Sequence, residues 1–206
     1  MSSVIYVEGG AKGADSKVQK IRCQQAFHKL LDRMGFTGRK PKLKACGSRK
    51  DVYKDFCTAH AVQKKDWIAM WIDSEDPMAD FEKAWAHLAT VTTVAKWKKP
   101  KGATDDQVLF MSTCMETWIV ADRKSLRAHY GKDLHEKTLP PLNNLEKRDR
   151  HDVQDRLELA TKDCTNAFEK GEPSYLVFGQ LNPSALASLP SFVRTQRILA
   201  EKLKKR

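Results

Sequence analysis

Nowhere in these 206 residues does an apolar run approach the roughly 20 positions a helix needs to cross a bilayer. The opening MSSVIYVEGG has no basic leader region and no long apolar stretch, so it reads as mature protein rather than a signal peptide. The short basic KLKKR follows no acylation signal. These absences lead to the expectation of a cytoplasmic protein with no membrane partner. The five cysteines, Cys23, Cys46, Cys57, Cys114 and Cys164, are scattered, with no CxxC and no Cys/His spacing of a zinc site. That argues against a disulfide framework or a zinc module and for small buried thiols in a reducing compartment. The six histidines are equally dispersed and read as ordinary structural or surface residues. The nucleotide-binding pattern G-x-x-x-x-G-K-[ST], internal repeats and low-complexity stretches are all missing.

What the chain does have is positive charge. Lys and Arg number 37 against 26 acidic residues, a net +11, and the sequence pI is near 9.4. An excess of this size favours polyanionic partners, because cation–phosphate contacts release counterions. The hydrophobic fraction of 41% and five tryptophans are globular values, and the length suits one domain.

The first 122 residues alternate strand and helix. SVIYV is a short β-rich run, followed by the turn-like GGAKGAD. Val18, Ile21, Phe27, Leu30, Leu31 and Met34 recur at helical spacing, and Gly35 stops that helix. PKLKACG reads as a second strand. KDVYKDFCTAHAVQKK reads as a second helix with Val52, Phe56 and Ala59 inward. DWIAMWID is apolar on both faces, as a central parallel strand should be. A third helix is expected over 78–96 on the stripe Phe81, Trp85 and Leu88. A fourth strand, QVLFMST, then leads into a helix carrying Glu116, Trp118 and Asp122, with Trp118 in the core. Beyond residue 122 the pattern is helical. Val153, Leu157, Ala160, Cys164 and Phe168 mark one amphipathic helix, and Asn182-Pro183 and Pro190 signal two short ones. The expected fold is α/β: a mostly parallel sheet of about four strands flanked by helices, spanning 1–122, with a helical C-terminal third over 123–206 packed on it as part of the same domain.

In open parallel sheets, sites gather at the carboxyl ends of strands. Glu8 ends the first strand. Asp73, Glu75 and Asp76 follow the third. If these strands are neighbours, four carboxylates converge, and such groups repel unless protons or a cation neutralise them. Mg²⁺, held by one or two carboxylates plus water and phosphate, is the hard cation that suits. Each residue also has a plainer role. Asp76 precedes Pro77 and suits a helix cap, Glu75 suits a helix dipole, and Glu116 suits the first turn of its own helix. Asp73, on the strand itself, is harder to explain as a cap. Lys12 in the glycine-rich turn, Arg22 one turn into the first helix, and Arg49 and Lys50 after the second strand are candidate phosphate contacts.

Glu8 in VEGG, with Asp73-Ser74-Glu75 ending a hydrophobic strand 65 residues later, resembles the TOPRIM (topoisomerase-primase) arrangement. The wider chain resembles a bacterial family of small TOPRIM-like proteins of unassigned activity, often encoded beside ABC-type ATPases in anti-phage loci. The segments ACGSRKDVYKDF, MSTCMETWIVADRKSLRAHYG, AFEKGEPSY and NPSALASLPSF carry that likeness. The resemblance implies that Glu8 is a metal ligand or general base and that Asp73 with Glu75 holds Mg²⁺ or Mn²⁺. It also implies that Glu116 and Asp76 are further candidate ligands. Glu75 stands where the family pattern has Asp, and its longer reach opens that role to Asp76.

Nothing resembles a topoisomerase's catalytic tyrosine or a polymerising module. The resemblance therefore implies a metal-dependent nuclease acting on DNA or RNA, the effector of an anti-phage system. Two other readings stand beside it: a non-catalytic subunit docking on an ATPase partner, and a hydrolase or transferase acting on a small nucleotide.

Overall fold

Residues such as Trp67, Ile68, Ala69, Met70, Trp71 and Ile72 form a strand that can be stable only if both its faces are covered. The computed structural model describes residues 3–9, 16–62, 66–91 and 96–204, and it provides that cover. Four strands, β1 (Ser3–Glu8), β2 (Lys42–Gly47), β3 (Trp67–Asp73) and β4 (Val108–Met111), form one sheet in the order β2-β1-β3-β4. All three pairings are parallel. Val7 lies opposite Trp71, and Asp73 opposite Met111.

Alternation along the strands sorts the side chains into two cores. Ile5, Val7, Ala69, Trp71, Leu109 and Met111 face one. Val4, Tyr6, Ile68, Met70, Ile72, Val108 and Phe110 face the other. The second core is closed by α2 (Arg49–Val62), through Val52, Phe56 and Ala59 as expected, and by α3 (Ala84–Thr90). The first is closed by α1 (Ser16–Leu31) together with helices from beyond residue 112. Those are α4 (Met115–Ala121), α5 (Arg123–Tyr130), α6 (Arg150–Thr161), α7 (Glu172–Phe178), α8 (Pro183–Leu186) and α9 (Pro190–Lys202).

An aromatic cluster ties this last third to the sheet. Phe27 meets Trp71 edge-on at 4.9 Å and Phe178 at 4.8 Å, and Trp118 meets Trp71 at 6.0 Å and Phe192 at 5.2 Å. Arg194 of α9 reaches the edge strand, donating to the Val108 carbonyl at 2.7 Å.

Three helices differ from the sequence-based expectation. Val18 and Ile21 are 50% and 44% exposed. At about 100° per residue, Val18 lies half a turn round α1 from Phe27, so the buried stripe is Cys23, Phe27, Leu30 and Leu31 instead. The helix expected over 78–96 is only Ala84–Thr90, with 92–95 outside the described residues. Its N-terminus is capped from a distance: Asp105 Oδ1 accepts from the Trp85 amide at 2.8 Å. Phe81 lies ahead of the helix but still packs on the second core. The third, α6, stops at Thr161, whose hydroxyl accepts from the Phe168 amide at 2.9 Å. Cys164 and Phe168 stay buried beyond its end.

Glu146, 6% exposed, anchors the start of α9. Its carboxylate accepts from the Ser191 amide at 3.1 Å and from the Ser191 hydroxyl, which itself accepts from Trp118 Nε1 at 2.9 Å. Burial pushes its pKa from 4.5 up to about 7, although the Ser191 and Trp118 hydrogen bonds favour the charged form. A carboxyl raised on folding adds stability that is complete below its unfolded value and lost as pH rises through its folded one. The gap corresponds to about 3 kcal/mol. Relative to Glu146→Gln, the parent protein should therefore lose about 3 kcal/mol in urea unfolding between pH 4.5 and pH 8. A difference that does not change with pH would contradict this account.

Candidate functional site

Two adjacent parallel strands end on carboxylates. Glu8 closes β1 and Asp73 closes β3. The Asp73 backbone amide donates to the Glu8 carboxylate, and the Met115 amide, at the start of α4, donates to Asp73. Glu116 enters from the first turn of α4, 4% exposed, and accepts from Gln154 Nε2 of α6 at 3.1 Å. Glu75 sits past β3 with its backbone in the left-handed region at φ 72°, unusual for a non-glycine residue. That turn is held by the Glu75 amide donating to the Thr113 carbonyl at 2.9 Å. It directs the Glu75 carboxylate to an ion pair with Arg150, the first residue of α6.

Glu8, Asp73, Glu75 and Glu116 line one small cavity of about 250 Å³, with Arg150, Lys170 and Tyr175 on its far wall. Burial pushes the Asp73 carboxyl well above the usual carboxylate range. Glu8 and Glu116 push it the same way, against Arg49 and the Met115 amide. Glu8 is also raised by burial, with Arg49, the Asp73 amide and Arg150 pulling it down. Among the described residues, Glu8 Oε2 and Asp73 Oδ1 are buried oxygens with no hydrogen-bond partner. A pair of oxygens left this way is costly unless a proton or a cation reaches them.

The cations sit close by. Arg49, the first residue of α2 and 7% exposed, donates to the Asp73 carbonyl and lies 4.6 Å from the centre of the Trp97 ring. Burial lowers its pKa, and Glu8 and Asp73 oppose that shift without cancelling it. Lys50 is exposed beside it. Arg22 lies on α1 and, among the described residues, lines neither this cavity nor the neighbouring one around Arg49. Lys12 lies outside the described residues. Asp76 is half-buried and also lines neither cavity. It does not cap a helix as expected, because α3 begins only at Ala84; its carbonyl accepts from the Ser74 hydroxyl at 2.8 Å.

Among the described residues, no three His, Cys, Asp or Glu side chains are grouped to hold a metal by themselves. Glu75 is ion-paired with Arg150 and Glu116 accepts from Gln154, which leaves Glu8 and Asp73. Sequence reasoning missed Arg150, Gln154, Lys170 and Tyr175, all from the helical third. It also missed Tyr53 and Trp97. The available signals were the segments AFEKGEPSY and ACGSRKDVYKDF, which contain Lys170, Tyr175 and Tyr53, and an aromatic residue inside the basic run KWKKPKG. Comparisons with protein-family models, with curated proteins and with solved structures give no match, so the geometry of the site carries the functional reading.

Gly9, directly after Glu8, fixes how closely the far wall approaches. A Cβ there would stand 2.5 Å from Cys23 Sγ and 2.6 Å from Tyr175 Oη, and its φ is +145°. Gly9→Ala should lower stability by about 1–3 kcal/mol. Adding Cys23→Ala should cost less than the two single changes summed, because one clash is relieved. Strict additivity in a double-mutant unfolding cycle would refute the contact.

Proposed function

We propose that this protein is a Mg²⁺-dependent phosphodiesterase that hydrolyses DNA or RNA. The observation that carries the reading is the pair of unpartnered buried oxygens, Glu8 Oε2 and Asp73 Oδ1, at the ends of adjacent strands. They fit a cation that takes one or two carboxylates and keeps water or phosphate in its remaining positions. Glu8 and Asp73 are the ligands, Mg²⁺ or Mn²⁺ the ion, and Glu116 and Glu75 the nearest further carboxylates. Bound there, the metal supplies an activated water and a counter-charge for the phosphate.

The remaining roles belong to the chain's own groups. Where Asp73 holds the ion without Glu8, the Glu8 carboxylate, its proton affinity raised by burial, is instead the group that takes the proton of the attacking water. Arg150 and Lys170 in the acidic cavity, and Arg49 and Lys50 in the neighbouring one, are the cations suited to phosphate oxygens. The net charge of +11 suits a polyanion. The resemblance of VEGG and WIDSE to the TOPRIM arrangement supports the same chemistry. It also suggests the setting, an anti-phage effector acting with an ABC-type ATPase.

Purified protein with Mg²⁺ or Mn²⁺ should cut plasmid or transfer RNA, and Glu8→Gln or Asp73→Asn should slow cleavage about 100-fold or more. Each substitution also removes a buried repulsive charge, so the metal-free variants should melt higher than the parent and lose Mn²⁺ binding in calorimetry. Cleavage retained in both variants would sink the metal assignment. A parent protein that neither cuts nor binds Mn²⁺ would favour the ATPase-docking subunit instead.

A further inference from the structure

A second cavity opens on the other side of Glu8 and Glu75. It measures about 650 Å³ and is lined by Ser48, Arg49, Lys50, Tyr53 and Trp97 together with those two carboxylates. The two cavities therefore meet at one acidic wall, and they differ in kind. The acidic cavity, at about 250 Å³, is smaller than ordinary small-molecule sites, which run from about 300 to 1,000 Å³, and it is walled by charge. It suits an ion and a phosphate. The second falls inside that range and has largely apolar walls.

Its aromatic wall is built and fixed. The Tyr53 and Trp97 rings stack at 4.4 Å with an interplanar angle of 12°. The Tyr53 hydroxyl donates to the Lys98 carbonyl at 2.7 Å, and the Trp97 amide donates to the Leu88 carbonyl at 3.1 Å. The guanidinium of Arg49 lies 4.6 Å from the Trp97 ring centre and joins that stack. Trp97 is 7% exposed, whereas Tyr53 remains half-buried and so presents ring surface to the cavity. A flat π-surface beside a buried arginine and an exposed lysine is the combination that binds a base by stacking and its backbone by charge.

We infer that this cavity holds an unpaired nucleobase of a single-stranded nucleic acid whose adjoining phosphate enters the acidic cavity. The inference rests on the phosphodiesterase reading for the phosphate and names the substrate class of the same site. A base inside a duplex keeps its faces stacked on its neighbours and cannot offer one to Tyr53. The protein should therefore act on single strands, loops or flipped-out nucleotides and bind regular duplex through surface charge alone. The wall is sequence-tolerant, because every base has a π-face.

The test is binding of a short fluorescent oligonucleotide by anisotropy, with Ca²⁺ in place of Mg²⁺. The same sequence as a duplex and a mononucleotide serve as competitors. The single strand should bind more tightly than either. Tyr53→Ala should weaken it by about 5- to 100-fold, the usual loss per stacked base, and leave duplex binding little changed. Tyr53→Phe keeps the ring and should stay close to the parent. If Tyr53→Ala does not fold, by circular dichroism, photo-crosslinking of a 5-iodouracil strand to the parent protein decides, with adducts expected on Tyr53 or Trp97. Parent-like binding by folded Tyr53→Ala overturns the inference, as do tighter duplex binding, a mononucleotide competing as well as the strand, or adducts only elsewhere. Strand binding that depends on Tyr53 without any cleavage leaves the base site standing and removes the hydrolase. Metal-dependent cleavage that ignores Tyr53 does the reverse.

Discussion

Two carboxylates ending neighbouring parallel strands, and buried there, impose the constraint around which the rest of this protein is arranged. Parallel pairing of β1 and β3 up to Val7 and Trp71 brings Glu8 and Asp73 to the same edge of the sheet. Burial strengthens their repulsion by lowering the local dielectric. Each surrounding element answers that repulsion in part: the Asp73 and Met115 amides donate to it, and the guanidinium of Arg49 stands over it. None of them removes it, since two oxygens are still without partners among the described residues. A fold optimised for stability alone would place apolar residues here.

The supports are divided between the two faces of the sheet. Arg49 comes from α2 on one side, while Arg150 and Gln154 come from α6 on the other. The acidic wall is thus held between a cavity of about 650 Å³ on one side and one of about 250 Å³ on the other. The aromatic cluster of Phe27, Trp71, Trp118, Phe178 and Phe192 fixes the face that α6 covers, because it joins the central strand to α1, α4, α7 and α9 on that side.

Much of this was legible in the sequence, for a definite reason. Strands buried on both faces are continuous apolar runs, so the sheet could be read from WIAMWID and VIYV, and the carboxylates at their ends stood out by contrast. That β1 and β3 are neighbours stayed a condition in the sequence, because nothing local fixes the order of parallel strands, and the structure supplies it. What failed was everything settled by distant partners. The extent of α3 depends on Asp105, and the loss of Val18 and Ile21 from the core depends on where α1 lies against the sheet. The pairing of Glu75 with Arg150 links residues that no local pattern connects, and Asp76 had no helix to cap once that turn was made. Tyr53 and Trp97 were hidden because one sits on a helix and the other in a basic loop, with the stack visible only in three dimensions.

The Glu75–Arg150 pair also orders events in time. The sheet is complete once β4 has been made, yet the acidic cavity has no far wall until α6 and the segment through Tyr175 have left the ribosome. A growing chain thus carries its carboxylates well before it carries the cations that shape their cavity. The cavity closes only around a chain that has folded across both faces of its sheet.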